Sequence, residues 1–141
     1  MQKLAKVLLV DDDQTSNFLH TQLLKRFLVV EQLLVAHNGL EALQTLAQTC
    51  AEADASAEPT LVLLDLNMPV MNGLEFLETY QQHPLAQTCQ VVIVVLTTSQ
   101  YSRDLKRIRA SAIAADILTK PLTQEKVETI LHRHYQRGLS A

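Results

Sequence analysis

Four sets of polar residues stand directly after short apolar runs, and together they suit the handling of a phosphoryl group. Asp11, Asp12 and Asp13 follow the run 7–10, Asp65 closes 61–64, Thr97 and Thr98 follow 91–96, and Lys120 ends a weaker run at 113–118. If these runs are parallel strands, their ends share one edge of a sheet. Ligands of open α/β sheets bind in the crevice at that edge, where the strand order reverses. Carboxylates gathered there repel: two unit charges ~4 Å apart cost about 4 kcal/mol at an effective dielectric of 20. A hard divalent cation offsets this, because Mg²⁺ takes one or two carboxylates, a carbonyl and several waters. A cation, a lysine and a hydroxyl around one carboxylate form a trap for a phosphoryl group, whose transfer depends on positioning and charge neutralisation. The carboxylate itself can be the nucleophile and carry the group as an aspartyl phosphate.

The elements that must hold these residues follow from the pattern. The runs 7–10, 33–36, 61–64 and 91–96 are continuous rather than alternating, as in strands buried on both faces. A fifth strand is read over 116–119. A first helix is expected over 13–28, with Phe18, Leu19, Leu23, Phe27 and Leu28 at mostly three- and four-residue steps. Asn38 opens a second, with Glu41 at capping-box spacing and Leu40, Leu43, Leu46 and Ala47 as its stripe. A third covers 73–82 and stops near His83, because Pro84 follows. A fourth covers 102–111. A fifth runs from Thr123, its cap, to about Tyr135, with Val127, Ile130 and Leu131 on one face and Arg133 and Arg137 near the negative end of its dipole. Strand and helix alternating five times imply βαβ units, a parallel sheet and a doubly wound sandwich. The segment 51–58 either extends the second helix or forms a loop, and reads as surface.

Composition narrows the function. The 141 residues leave room for one domain, and 48% hydrophobic with 19% charged residues is a globular balance. A net charge of -3 argues against a duplex nucleic-acid binder. No apolar run is long enough to span a bilayer. The residues before Asp11 do not read as a secretory signal. Cys50 and Cys89 have neither CxxC spacing nor a paired histidine, so neither a zinc site nor a disulfide is expected. A cytoplasmic setting is the expectation.

The segments VLLVDDD, LVLLDLNMPVMNG, VVLTTS and LTKPL occur in this order and, with HNGLEAL, cover the chain from about Lys6 to about Tyr135. In them the sequence resembles the receiver domain of two-component response regulators. The resemblance implies a flavodoxin-like (βα)5 sandwich with a five-stranded parallel sheet in the order 2-1-3-4-5. It also implies roles for particular residues. Asp65 matches the phosphoacceptor, and Asp11 and Asp12 match the acidic pair that holds Mg²⁺ (or Mn²⁺) with Asp65. Asn67 matches the position whose backbone carbonyl is a metal ligand. Lys120 matches the lysine that pairs with the phosphoryl oxygens, with a cis bond to Pro121, and Thr97 matches the hydroxyl that turns towards them. Met68, Pro69 and Gly73 shape the loop after the nucleophile.

Three departures qualify the match. Asp13 makes the acidic run a triplet, so a shift of one residue is open, although strand length favours Asp11 and Asp12. Thr97 and Thr98 are adjacent. Thr97 is preferred because Asp104 then falls at the family's usual start of the next helix. The family's aromatic switch position is occupied by Ile117, so a ring moving from exposed to buried is not the signal there, and Tyr101 is an alternative reporter. The partners implied are a sensor histidine kinase or histidine phosphotransfer protein upstream and a protein target downstream. DNA binding, membrane insertion and an enzymatic output domain are not expected of the chain. The alternative is a pseudo-receiver, a docking module of the same fold that is never phosphorylated. A haloacid-dehalogenase-type hydrolase is disfavoured, since Asn67 stands where that chemistry places a second aspartate.

Plainer readings apply elsewhere. Asp13 fits a helix cap. His132 and His134 lie on different helical faces and do not form a metal pair, and His20, His37 and His83 are scattered. Phe18, Phe27 and Phe76 read as core packing. With three glycines there is no Walker loop. Asn67 and Ser99 flank the approach of an attacking water and are expected to tune the lifetime of an acyl phosphate.

Overall fold

The computed structural model describes residues 2–51, 58–98, 104–111 and 113–136. Strand β1 (Gln2–Val10) leads to helix α1 (Gln14–Phe27), followed by β2 (Leu28–Ala36), α2 (Gly39–Ala51), β3 (Thr60–Asp65) and α3 (Gly73–Gln82). Then come α4 (Leu85–Thr88), β4 (Val91–Thr97), α5 (Asp104–Ala110), β5 (Ala114–Thr119) and α6 (Gln124–His134). The strands form one parallel sheet in the order β2-β1-β3-β4-β5, as expected.

The continuous apolar runs are explained by covered faces on both sides of the sheet. Leu8, Val10, Val62, Leu64, Ile93 and Val95 point to one face and pack with Leu46 of α2, Leu77 of α3 and Ile108 of α5. The intervening residues Val7, Leu9, Leu61, Leu63, Val94 and Leu96 join Leu24 of α1 and Val127, Ile130 and Leu131 of α6 on the other. Fully burying each such side chain contributes about 1.5–3 kcal/mol, so the stretches 7–10, 61–64 and 91–96 are apolar at every position.

The edge strands are less regular. β2 begins at Leu28, immediately after α1, and pairs with β1 from Gln2↔Leu28 to Val10↔Ala36. Val29 and Val35 of this edge strand are exposed, so only part of β2 has the buried signature. β5 starts at Ala114, two residues before the expected start, next to a register shift at Ile93/Val94.

Two helices present a different face from the one expected. The inward positions of α1 are Asn17, His20 and Leu24, while Phe18 is 62% and Leu19 58% exposed. In α2 the buried arc is Ala42, Leu43, Leu46 and Thr49. At 3.6 residues per turn, Leu40 and Ala47 lie roughly 110–130° from its centre, and both are exposed. Phe76 is fully buried as expected. Asp13 caps α1 through Thr15 and Ser16 N–H, and Thr123 caps α6 through Lys126 N–H. Pro84 ends α3 as expected and opens the short α4, an element the pattern did not show. Ser99, Tyr101 and Arg137, the first two residues (102 and 103) of the expected helix at 102–111, and residues 52–57 lie outside the described residues.

The cysteines correct the sequence reading. Cys50, at the end of α2, and Cys89, just before β4, form a disulfide with their Cα atoms 5.5 Å apart. Their separation of 39 residues carries no local motif. They meet because α2 returns along the sheet to the end where β4 begins. Closing a loop of this length stabilises a fold by about 2–4 kcal/mol through the unfolded chain. Reduction with dithiothreitol is therefore expected to lower the urea midpoint. The same treatment of Cys50→Ser/Cys89→Ser should leave the midpoint unchanged.

Candidate functional site

Strand register assembles the site. β1 and β3 are neighbours, and their following helices α1 and α3 leave to opposite faces, which opens a crevice at the switch point. Val10 lies opposite Leu64, so Asp11 and Asp65 leave adjacent strands side by side. Asp65 lies opposite Leu96, which puts Thr97 one residue further along the next strand. Thr97 pairs with Thr119, and Lys120 N–H donates to the Thr97 carbonyl at 2.8 Å. Lys120 is thereby delivered to the same edge.

The side chains converge accordingly. Asp11, Asp12 and Asp65 can each offer a carboxylate oxygen with all three within 4.8 Å of one another. Asp11 and Asp65 are buried, and Asp12 is exposed. Lys120 Nζ bridges the two buried carboxylates, 2.7 Å from Asp11 Oδ2 and 3.2 Å from Asp65 Oδ1. Burial, and then the charge of Asp11, raise the Asp65 carboxyl above the usual carboxylate range, although Lys120 opposes the shift. Burial alone would lower the Lys120 ammonium, but its hydrogen bond to Asp11 and the charges of Asp65 and Asp11 outweigh this and raise it. The lysine therefore remains charged between two acids. Thr97 is buried at the end of β4, and Thr98 is exposed. Asn67 is exposed on the loop, two residues past Asp65.

That loop is held at several points. Gly73 N–H donates to the Leu66 carbonyl at 3.0 Å, and Gly39 N–H at the start of α2 donates to the Met71 carbonyl at 2.8 Å. Asn72 and Glu75 form a capping box at the start of α3. Between the anchors, Met71 N–H closes a tight turn on the Pro69 carbonyl at 2.7 Å, with Val70 at φ 66°. A β-branched residue is strained in that region, whereas glycine enters it freely. The Val70 side chain is 76% exposed and contributes little burial. Val70→Gly is therefore expected to stabilise the fold by about 1 kcal/mol, read as a higher urea midpoint at constant slope.

Helix α1 contributes residues that the sequence reading passed over. Asn17 Nδ2 donates to the Asp11 carbonyl at 2.9 Å and holds the acidic turn, and its Oδ1 is buried without a hydrogen-bond partner among the described residues. His20 is buried one turn further on. Burial, then the charge of Lys120, push it below the ordinary histidine value, with Asp11 opposing, so it is neutral at pH 7. The signal was the spacing of Asn17, His20 and Leu24, which share one helical face. Ile117, at the position of the family's aromatic, is partly buried against the core shared with α3 and α5.

Comparison with known proteins agrees with this arrangement. The family described as "Response regulator receiver domain" matches residues 7–132. The chain is 35% identical over 99 residues to the response regulator Rcp1 of Synechocystis sp., covering 70% of this chain and 65% of that protein. It is 30% identical over 126 residues to a probable chemotaxis protein CheY of Rhizobium etli, covering 89% and 88%. A two-component response regulator structure from Cytophaga hutchinsonii superposes with a TM-score of 0.82 at 28% identity, covering 96% and 100%. Other curated relatives are longer, and the chain spans only 30% or 50% of their length.

The chain thus has the doubly wound fold and acidic edge of a two-component signalling module. It belongs to the response regulator receiver domain family. Domains of this family work with histidine kinases and downstream targets and bind Mg²⁺ at an acidic pocket. The donor set here fits such an ion: three hard carboxylate oxygens within reach of one centre suit a small divalent cation better than a soft one. Among the described residues no helix is long and apolar enough to cross a membrane.

Proposed function

We propose that this chain is a phosphoacceptor receiver domain, with its working core over residues 6–135. It would take a phosphoryl group onto Asp65 from a phosphohistidine on a sensor kinase or phosphotransfer protein. The observation that carries the reading is the Lys120 ammonium held between Asp11 and Asp65, with Asp12 at the same centre. Asp11, Asp12, Asp65 and the Asn67 carbonyl would hold Mg²⁺, which would supply neutralisation of the transferred charge. Asp65 attacks phosphorus in line. The new O–P bond forms as the N–P bond breaks, and its electron pair returns to the donor's imidazole. Lys120 keeps its ammonium on the phosphoryl oxygens, and the Thr97 hydroxyl donates to another.

Phosphorylation is then a local change of charge that biases two packings of the β4–α5–β5 side, with output by protein–protein contact. Ile117 leaves that output to side chains other than a switching ring at this position. Water attack at the acyl phosphate would return the free aspartate, with Asn67 and Ser99 tuning the rate. The test is intact mass after incubation with acetyl phosphate and Mg²⁺. Addition of one phosphoryl group, absent with EDTA, is the expected result. Unchanged mass with Mg²⁺ present, together with a failure to accept phosphate from any histidine kinase tried, would favour the pseudo-receiver.

A further inference from the structure

Lys126 stands in the first turn of α6, where a cation opposes the helix dipole. It also occupies the third helical position after the Thr123 cap, where Glu or Gln would complete a capping box. The sequence thus gives up two local advantages at one residue. The structure shows where its ammonium goes instead. Lys126 Nζ lies 2.6 Å from the Thr119 carbonyl, 2.9 Å from the Pro121 carbonyl and 3.4 Å from Thr119 Oγ1. A lysine has three donor hydrogens, and these contacts use them all. The two carbonyls belong to the residues on either side of Lys120.

The segment 119–121 is therefore gripped from both sides. Lys120 N–H is fastened to the Thr97 carbonyl, and the flanking carbonyls are fastened to Lys126. What remains to Lys120 is the direction of its side chain, which spans from this anchored backbone to Asp11 and Asp65. A long, flexible side chain places its charge well only if its root is fixed.

We propose that Lys126 is a positioning residue for Lys120, holding the backbone at 119–121 so that the Lys120 ammonium meets the phosphoryl group. This rests on the reading that Lys120 pairs with that group. Lys126 touches neither the carboxylates nor the incoming phosphoryl group in this role. It acts through the two carbonyls.

Lys126→Gln separates this role from helix stability, because glutamine removes the opposed charge and restores the capping box. The probe is beryllofluoride with Mg²⁺, a stand-in for the acyl phosphate, titrated into the full chain and followed by amide NMR. Lys126→Gln is expected to retain the fold and bind the probe about tenfold more weakly, since small misplacements at a phosphoryl site cost large factors. The Lys120 ¹³Cε resonance should shift in the unliganded variant. Lys126→Arg, which can still donate to both carbonyls, should recover most of the affinity. If Lys126→Gln does not fold, Lys126→Met, with its uncharged stem, is read in the same way. Binding within twofold of wild type with an unmoved Lys120 resonance would overturn the proposal. If wild type itself does not bind the probe, the failure lies with Lys120 as a phosphoryl ligand and the proposal falls with it.

Discussion

Asp65→Asn is expected to abolish acyl-phosphate labelling completely while raising the unfolding temperature at neutral pH in Mg²⁺-free buffer. The loss follows because an amide is not a nucleophile of this kind. Asp11 is already committed to Lys120 and to Asp13 N–H, at 2.7 and 2.9 Å. The stability gain follows from electrostatics. Burial and the charge of Asp11 hold the folded-state pKa of Asp65 above its unfolded value, so the fold disfavours the ionised form. For a carboxyl shifted upward, the native state binds more protons than the unfolded chain between the two pKa values. Stability is then lost as pH rises through that window and stays lower above it. Asparagine removes this penalty at neutral pH, and the advantage should vanish in acid, where Asp65 is protonated in both states. Differential scanning calorimetry of both proteins at several pH values checks this. A lower unfolding temperature for Asp65→Asn at neutral pH would mean that Lys120 stabilises the ionised carboxylate more than burial and Asp11 oppose it.

The largest structural effect is expected at Gly73. A Cβ there would stand 2.4 Å from the Asp65 carbonyl oxygen and 2.9 Å from Leu66 Cα. Both are backbone atoms and cannot rotate aside. The close approach exists because Gly73 N–H reaches the Leu66 carbonyl and seats the start of α3 on the end of β3. Gly73→Ala must push the helix off the strand, at a cost of about 3 kcal/mol. That is a large fraction of the 5–15 kcal/mol typical of a domain's stability. The urea midpoint should fall sharply, and the surviving folded population should bind beryllofluoride poorly because the Asp65 turn has moved. At Gly39 a Cβ would meet Met71 Cγ and Sδ, at 2.7 and 2.9 Å, and Met71 O at 2.9 Å. The Met71 side chain can yield, and the clash with its carbonyl oxygen at 2.9 Å is shallower than the 2.4 Å clash at Gly73, so Gly39→Ala is the milder variant. Equal losses at the two positions would argue against the backbone clash as the cause.

The central strands were legible because both faces of the sheet are covered: residues 7–10, 61–64 and 91–96 had to be apolar at every position. The candidate site was legible for the complementary reason. Where burial ends, polar residues return, and in a parallel sheet those points fall on one edge. The edge strand β2 was read only in part, since an edge position relaxes the demand for apolar side chains. Helix α1 misled through Phe18 and Leu19, which are exposed, while polar Asn17 and His20 face inward beside the acidic edge. Hydrophobic periodicity cannot find a helical face that is polar because it serves a polar site. The Cys50–Cys89 bond and the carbonyl contacts of Lys126 depend on how α2, β4, β5 and α6 are placed. No local spacing announces either.

In the proposed function, Asp65, Thr97 and Lys120 act as one receptor for PO₃ around a carboxylate-bound ion. Amide NMR of the wild-type chain titrated with beryllofluoride tests this most directly. With Mg²⁺ present, the resonances of Asp65, Thr97 and Lys120 should shift together. Without Mg²⁺, or in Asp65→Asn, they should stay in place. A spectrum unchanged by beryllofluoride and Mg²⁺, or shifts that persist in Asp65→Asn, would contradict it.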